Sequence, residues 1–167
     1  VMHDAVRINH EATAQRYCQF HANWTQRVID EARLLTALRP DLVLTDVAYL
    51  PLAGATLSGL PSFSMCSLNW ADLFIHFFGH EPWAPPIHKE ILTAYRSAER
   101  FLRLTPSMPM PELPNAQTLA PIAALGARRR TELHHKLGID DTIRTVLIAY
   151  GGIDKELRTE NWPCTPG

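Results

Sequence analysis

Cysteine is scarce in this 167-residue chain: Cys18, Cys66 and Cys164 lie far apart, with no C-x-x-C pair among them. An odd count at that spacing excludes a disulfide framework and fits free thiols in a reducing compartment, so a cytoplasmic location is expected. No apolar stretch approaches the ~20 residues that a membrane-spanning helix needs. The opening VMHDAVRINHEATAQ lacks the basic-then-apolar layout of a signal peptide. An excess of one charge is missing too, since 16 Lys and Arg stand against 17 Asp and Glu for a net charge of -1. That balance leaves no electrostatic footprint for nucleic acid or an anionic membrane. Arg128-Arg129-Arg130 is the one basic cluster and reads as a solvated helix start.

What the chain does have is apolar content, 46% against 20% charged, enough for a buried core in one average domain. Residues 10–38 place Tyr17, Phe20, Trp24, Val28, Ala32, Leu35 and Leu38 at spacings of three and four, which predicts one amphipathic helix ended by Arg39-Pro40. DLVLTD (41–46) is the near-continuous run of a strand covered on both faces. PLAGATLS (51–58) gives a short helix with proline in its first turn, and SFSMCS (62–67) a second strand. Strand, helix and strand in about thirty residues make a βαβ unit, hence a parallel sheet.

Further on, 70–80 reads as helix, PWAPP (82–86) as a rigid break, 87–99 as an amphipathic helix and RFLRLT (100–105) as a third strand. Four prolines within 106–114 and a fifth at Pro121 argue against a helix or a central strand, so 106–122 reads as linker. Residues 128–137 form a helix closed by Gly138, and Thr145–Tyr150 a strand that meets Gly151-Gly152. The fold expected is α/β, a Rossmann-like parallel sheet with helices on both faces. In such folds ligands sit beyond the carboxyl ends of the strands, here Thr45-Asp46, Ser67 to Trp70, Thr105-Pro106 and Gly151-Gly152.

The stretch RPDLVLTDVAYLPLAGATLSGLPSFSMCSLNWADLF resembles the second half of the N-terminal domain of GT-B glycosyltransferases. The resemblance rests on Asp41/Asp46, Gly59/Pro61, Asn69/Trp70 and Gly151/Gly152 in that order. The nearest group is that of bacterial predicted glycosyltransferases, relatives of the peptidoglycan N-acetylglucosaminyltransferase and of the amino-terminal half of sugar kinases. PIAALGARRRTELHHKLGI is similar to that group's interdomain linker, and VLIAYGGID to the first strand of its second domain.

The resemblance implies a two-domain enzyme divided as 1–105 (acceptor-side domain), 106–127 (Pro-rich linker) and 128–167 (the start of the nucleotide-sugar domain). It implies sugar transfer from a nucleotide-sugar donor, expected to be UDP-linked, to an unknown acceptor, with no cofactor or metal. Gly151 and Gly152 would face the donor diphosphate, because glycine lets backbone amides approach phosphate oxygens. Asp46, Asn69 and Trp70 would lie on the acceptor side. The family's Gly-rich first loop and the rest of its second domain have no counterpart in this sequence, so the chain alone is expected to be inactive, and no catalytic residue is assigned.

Each residue also has a plainer reading. Asp46 and Asn69 are good helix N-caps, Trp70 can fill core, and a lone Gly-Gly can be a plain tight turn. His76 and His80 share a helix face, but Glu81 and His88 fix no third ligand, and the adjacent His134-His135 diverge on a helix. Cys66 as a nucleophile has no placed partner. The alternatives to a transferase are a non-catalytic binding or assembly module and the N-terminal part of a sugar-kinase-type protein; whichever holds, apolar surface left bare by the strands this chain lacks is expected to drive self-association.

Overall fold

The protein is described by a computed structural model covering residues 1–4, 7–148 and 162. It divides into two compact units, His10–Ile122 and a second made of Val1–Asn9 with the segment from Ala123 onward.

In the second unit, β1 (Met2–Asp4) pairs antiparallel with β2 (Arg7–Ile8). The larger unit opens with α1 (His10–His21) and α2 (Trp24–Leu38), where the spacing predicts one continuous helix. The helix breaks at Asn23, which leaves the helical conformation (φ -123°, ψ 39°) and stands at the N-cap position of α2 without a side-chain capping bond. At its far end Arg39 takes a left-handed conformation (φ 50°) and donates its N–H to Leu35 O, just ahead of Pro40.

Then follow β3 (Val43–Thr45), α3 (Leu50–Ser58), β4 (Ser62–Cys66), α4 (Trp70–Phe78), α5 (Ala84–Ser97), β5 (Arg100–Leu104) and β6 (Ala116–Leu119). The four strands form one parallel sheet in the order β3-β4-β5-β6, so the α/β, Rossmann-like expectation holds at that level. Pro85 and Pro86 do not break the chain, because they occupy the first turn of α5, where backbone N–H groups have no helical partner to lose. Gly54 lets α2 and α3 touch: a Cβ there would stand 2.6 Å from Glu31 Cγ and 3.2 Å from Ala32 N.

Two expectations are corrected. Residues 106–122 are not wholly linker, since β6 lies within them, pairs with β5 at the sheet border, and contains no proline. Met110 and Leu113 are buried beneath it, and the Asn115 amide ties its start to Tyr95 O and Ala98 O at 2.9 Å each.

The helices of this unit also cover one face, not both. Register puts Val43, Ser64, Cys66, Phe101 and Ala116 on one face. There Cys66, Phe101 and Ala116 join a single core built from Leu52 of α3, Phe74 of α4, Ile91 and Tyr95 of α5 and Tyr17 of α1, while Val43 packs with Leu35 of α2 and Ala55 of α3. The other face carries Leu44, Phe63, Met65, Leu102 and Leu104. None of them belongs to either cluster among the described residues, and Leu44 is 55% exposed. Because every strand follows its neighbour in sequence order, each crossover sets its helices on the same side.

After Ala123 the second unit carries α6 (Arg130–Leu137), closed as expected by Gly138 at φ 64°. Residues 145–148 form no strand pairing among the described residues, and the rest of the predicted strand, 149–150, lies outside them. No helix among the described residues is long and apolar enough to cross a membrane.

Candidate functional site

The carboxyl edge of the sheet is built by the segments that follow β3 and β4. Thr45 ends β3 buried, its Oγ1 donating to Ser64 Oγ at 3.3 Å across the strands. Asp46 then turns out to solvent. The next residue, Val47, holds φ at 58°, a conformation that a β-branched side chain adopts only under constraint.

The constraint is visible. The Tyr95 hydroxyl, on α5, donates to Val47 O at 2.7 Å and accepts the Trp70 N–H at 3.3 Å. One buried oxygen thus pins both the β3–α3 loop and the first residue of α4. Burial pushes the Tyr95 phenol well above its ordinary range, so the hydroxyl stays protonated and keeps its donor role.

Asn69 is fully buried and caps α4, its Oδ1 accepting from Asp72 N at 2.8 Å. The plainer reading of Asn69 is therefore the one the geometry displays, and its Nδ2 has no partner among the described residues. Trp70 does not fill core, being 38% exposed at the start of the helix. Asp46 does not cap α3, whose N-cap position belongs to Tyr49. The structure thus brings Asp46 and Trp70 onto segments fixed to one atom, with buried Asn69 next to Trp70 in the chain. Gly151 and Gly152 lie outside the described residues.

A second polar group, which the sequence reading passes over, supports the same loop from below. Tyr49 OH lies 3.0 Å from His21 Nε2, and His21 Nδ1 lies 2.7 Å from Glu90 Oε2. A carboxylate only accepts, so Nδ1 carries the proton, Nε2 accepts, and Tyr49 donates. The imidazole packs against Trp24 and Tyr49, with ring centres 5.1 and 5.7 Å away, and those two rings also meet each other at 5.7 Å, so the three form a triangle. Burial lowers the His21 pKa, against the opposing pull of Glu90, so the ring is neutral near pH 7. Burial also raises Tyr49. The signal was in the sequence: His21 falls between Tyr17 and Trp24 on the apolar stripe, where a polar residue needs a buried partner.

The remaining candidates are separate. His76 sits edge-on to Phe77, His80 reaches Glu81 at 3.3 Å in solvent, and half-buried Cys66 packs against the core. In the second unit His134 is buried, 3.3 Å from Asp141 and 3.4 Å from Thr145 Oγ1, while His135 is exposed. No three His, Cys, Asp or Glu side chains gather as a metal site would require among the described residues.

Fold and edge geometry together define an α/β protein with a parallel sheet and a polar, aromatic carboxyl edge. Comparison of the chain with known protein families, with curated proteins and with solved structures finds no match.

Proposed function

We propose that the His10–Ile122 unit is the acceptor-side part of a GT-B-type glycosyltransferase. One observation carries the reading: Asp46 and Trp70 stand on two loops that converge on the Tyr95 hydroxyl. A rigid edge presenting a carboxylate and an indole suits a sugar, whose hydroxyls donate to the carboxylate and whose C–H face stacks on the ring. In this reading Asp46 orients the accepting hydroxyl, Trp70 holds the ring, and Asn69 keeps the α4 terminus in place. By the resemblance, Gly151 and Gly152 would meet the diphosphate of a UDP-linked donor.

The test is titration of the full chain with a panel of methyl hexopyranosides, read by the indole N–H resonances. The Trp70 signal should move and saturate, and Trp70→Ala should weaken binding about tenfold or more, as loss of a stacking anchor does. UDP should bind negligibly to this chain. Glycoside affinity unchanged by Trp70→Ala, or micromolar UDP binding, would overturn the reading. A second reading, an assembly module, is favoured by the uncovered sheet face around Leu44.

A further inference from the structure

A groove of about 460 Å³ runs between the start of α2, α3 and α5, within the range of small-molecule sites. Since α3 starts where β3 ends and leads back to the start of β4, the groove extends along the outer helical layer toward the amino edge of the sheet. Trp24, Ala53, Pro86 and Ala94 give it apolar walls. At one end the Thr56 proton is shared between Leu52 O and Ser97 Oγ and the Ser97 proton goes to Ala94 O, which leaves lone pairs but no free proton on these two hydroxyls.

Glu90 is the charged group between these walls. Its side chain is about a third exposed (35%), and the other side is held by the His21 imidazole, itself 3% exposed. The hydrogen-bond order Glu90–His21–Tyr49 uses both ring nitrogens of a neutral imidazole, so the Glu90 charge is fixed in position but not cancelled. Lys89 also lines the groove, but it is exposed, and its place one residue round the helix turns it to the rim. Arg27, the nearest cation on α2, is occupied over the Phe20 ring, 4.8 Å from its centre.

An uncancelled carboxylate beside an indole, with alkyl walls, is complementary to a cation with an apolar body. We propose that this groove binds a small alkylguanidinium or alkylammonium ligand, its charged head on Glu90 beside Trp24 and its alkyl chain along Ala53, Pro86 and Ala94.

The experiment uses the full chain and three probes of one shape, n-butylguanidinium, n-butylammonium and n-butanol, followed by the Trp24 indole resonance and by calorimetry. The two cations should bind at least about tenfold more tightly than the alcohol, with the difference shrinking as salt is raised. Glu90→Gln keeps an acceptor for His21 and should abolish that preference. Lys89→Gln should leave it intact or tighten it. Should Glu90→Gln fold poorly, Thr93→Lys offers a second variant. It sets an ammonium three residues from Glu90 on the same helix face and should compete the cations out. Equal affinity for butanol and the cations, an unchanged preference in Glu90→Gln or Thr93→Lys, or no Trp24 response to either cation, would overturn the proposal.

Discussion

A single buried histidine in an aromatic cluster sets a pH dependence for the fold. An ordinary histidine titrates near 6.5, and burial lowers His21 below that, outweighing the Glu90 carboxylate that raises it. The other groups facing it, Tyr49 and Tyr17, are uncharged near pH 7, and Arg27 disfavours its protonation further. As pH falls through 6.5 the unfolded chain binds a proton at this position that the folded chain refuses. Stability contributed by the neutral ring is therefore whole above that pH and lost below it, down to the lowered folded-state value. Urea midpoints measured between pH 7.5 and 5.5 should fall more steeply for the parent chain than for His21→Gln. Parallel curves would show that His21 titrates alike in both states. Residues of this kind were only half legible in the sequence. The apolar stripe of 17–28 marks His21 as buried, but Glu90 and Tyr49 lie 69 and 28 positions away. No local pattern pairs groups so distant. The position of Asp46, Asn69 and Trp70 beyond β3 and β4, by contrast, was legible, because strand ends announce themselves where an apolar run stops.

Among elements, the α2–α3 contact depends most on one small residue. Gly54→Ala adds a methyl 2.6 Å from Glu31 Cγ, which can swing away, and 3.2 Å from Ala32 N, which is backbone and cannot. Alanine gains roughly 1 kcal/mol of helix propensity, but overpacking a close helix contact costs about 1–3 kcal/mol, so a net loss on the order of 1 kcal/mol is expected in chemical denaturation. A more stable variant would mean that α2 shifts freely over α3. The elements themselves were largely readable, because β3, α3, β4 and α4 each announce their period and their stop. The misreadings share one cause: punctuation residues act by position. Asn23 ended a helix that lacked any Gly or Pro, Pro85-Pro86 began one, and the prolines of 106–114 stopped just short of a strand.

Over the whole molecule, the uneven cover of the sheet sets solution behaviour. A parallel sheet is ordinarily enclosed on both faces, yet Leu44, Phe63, Met65 and Leu102 share a face outside the helical core, and β3 is a border strand. Self-association through that face is the expected outcome, visible as a concentration-dependent sedimentation coefficient and reduced by Leu44→Lys. A strictly monomeric chain at high concentration would count against it. The sequence suggests bare apolar surface but not which face carries it, because Leu and Phe at alternate positions look alike whether half-buried, as Phe63 and Leu102 are, or exposed like Leu44.

Spatial order in this sheet equals order along the chain, and that has a consequence for how disturbance spreads. Each strand borrows hydrogen bonds only from the segments just before and after it, as do the units of a short repeat array. β3 and β6 therefore have no direct business with each other. Within the sheet, harm at one border passes through β4 and β5 to reach the other, while Tyr95 of α5 offers a second route across the helical layer, its hydroxyl on Val47 O after β3 and its carbonyl on the Asn115 amide before β6.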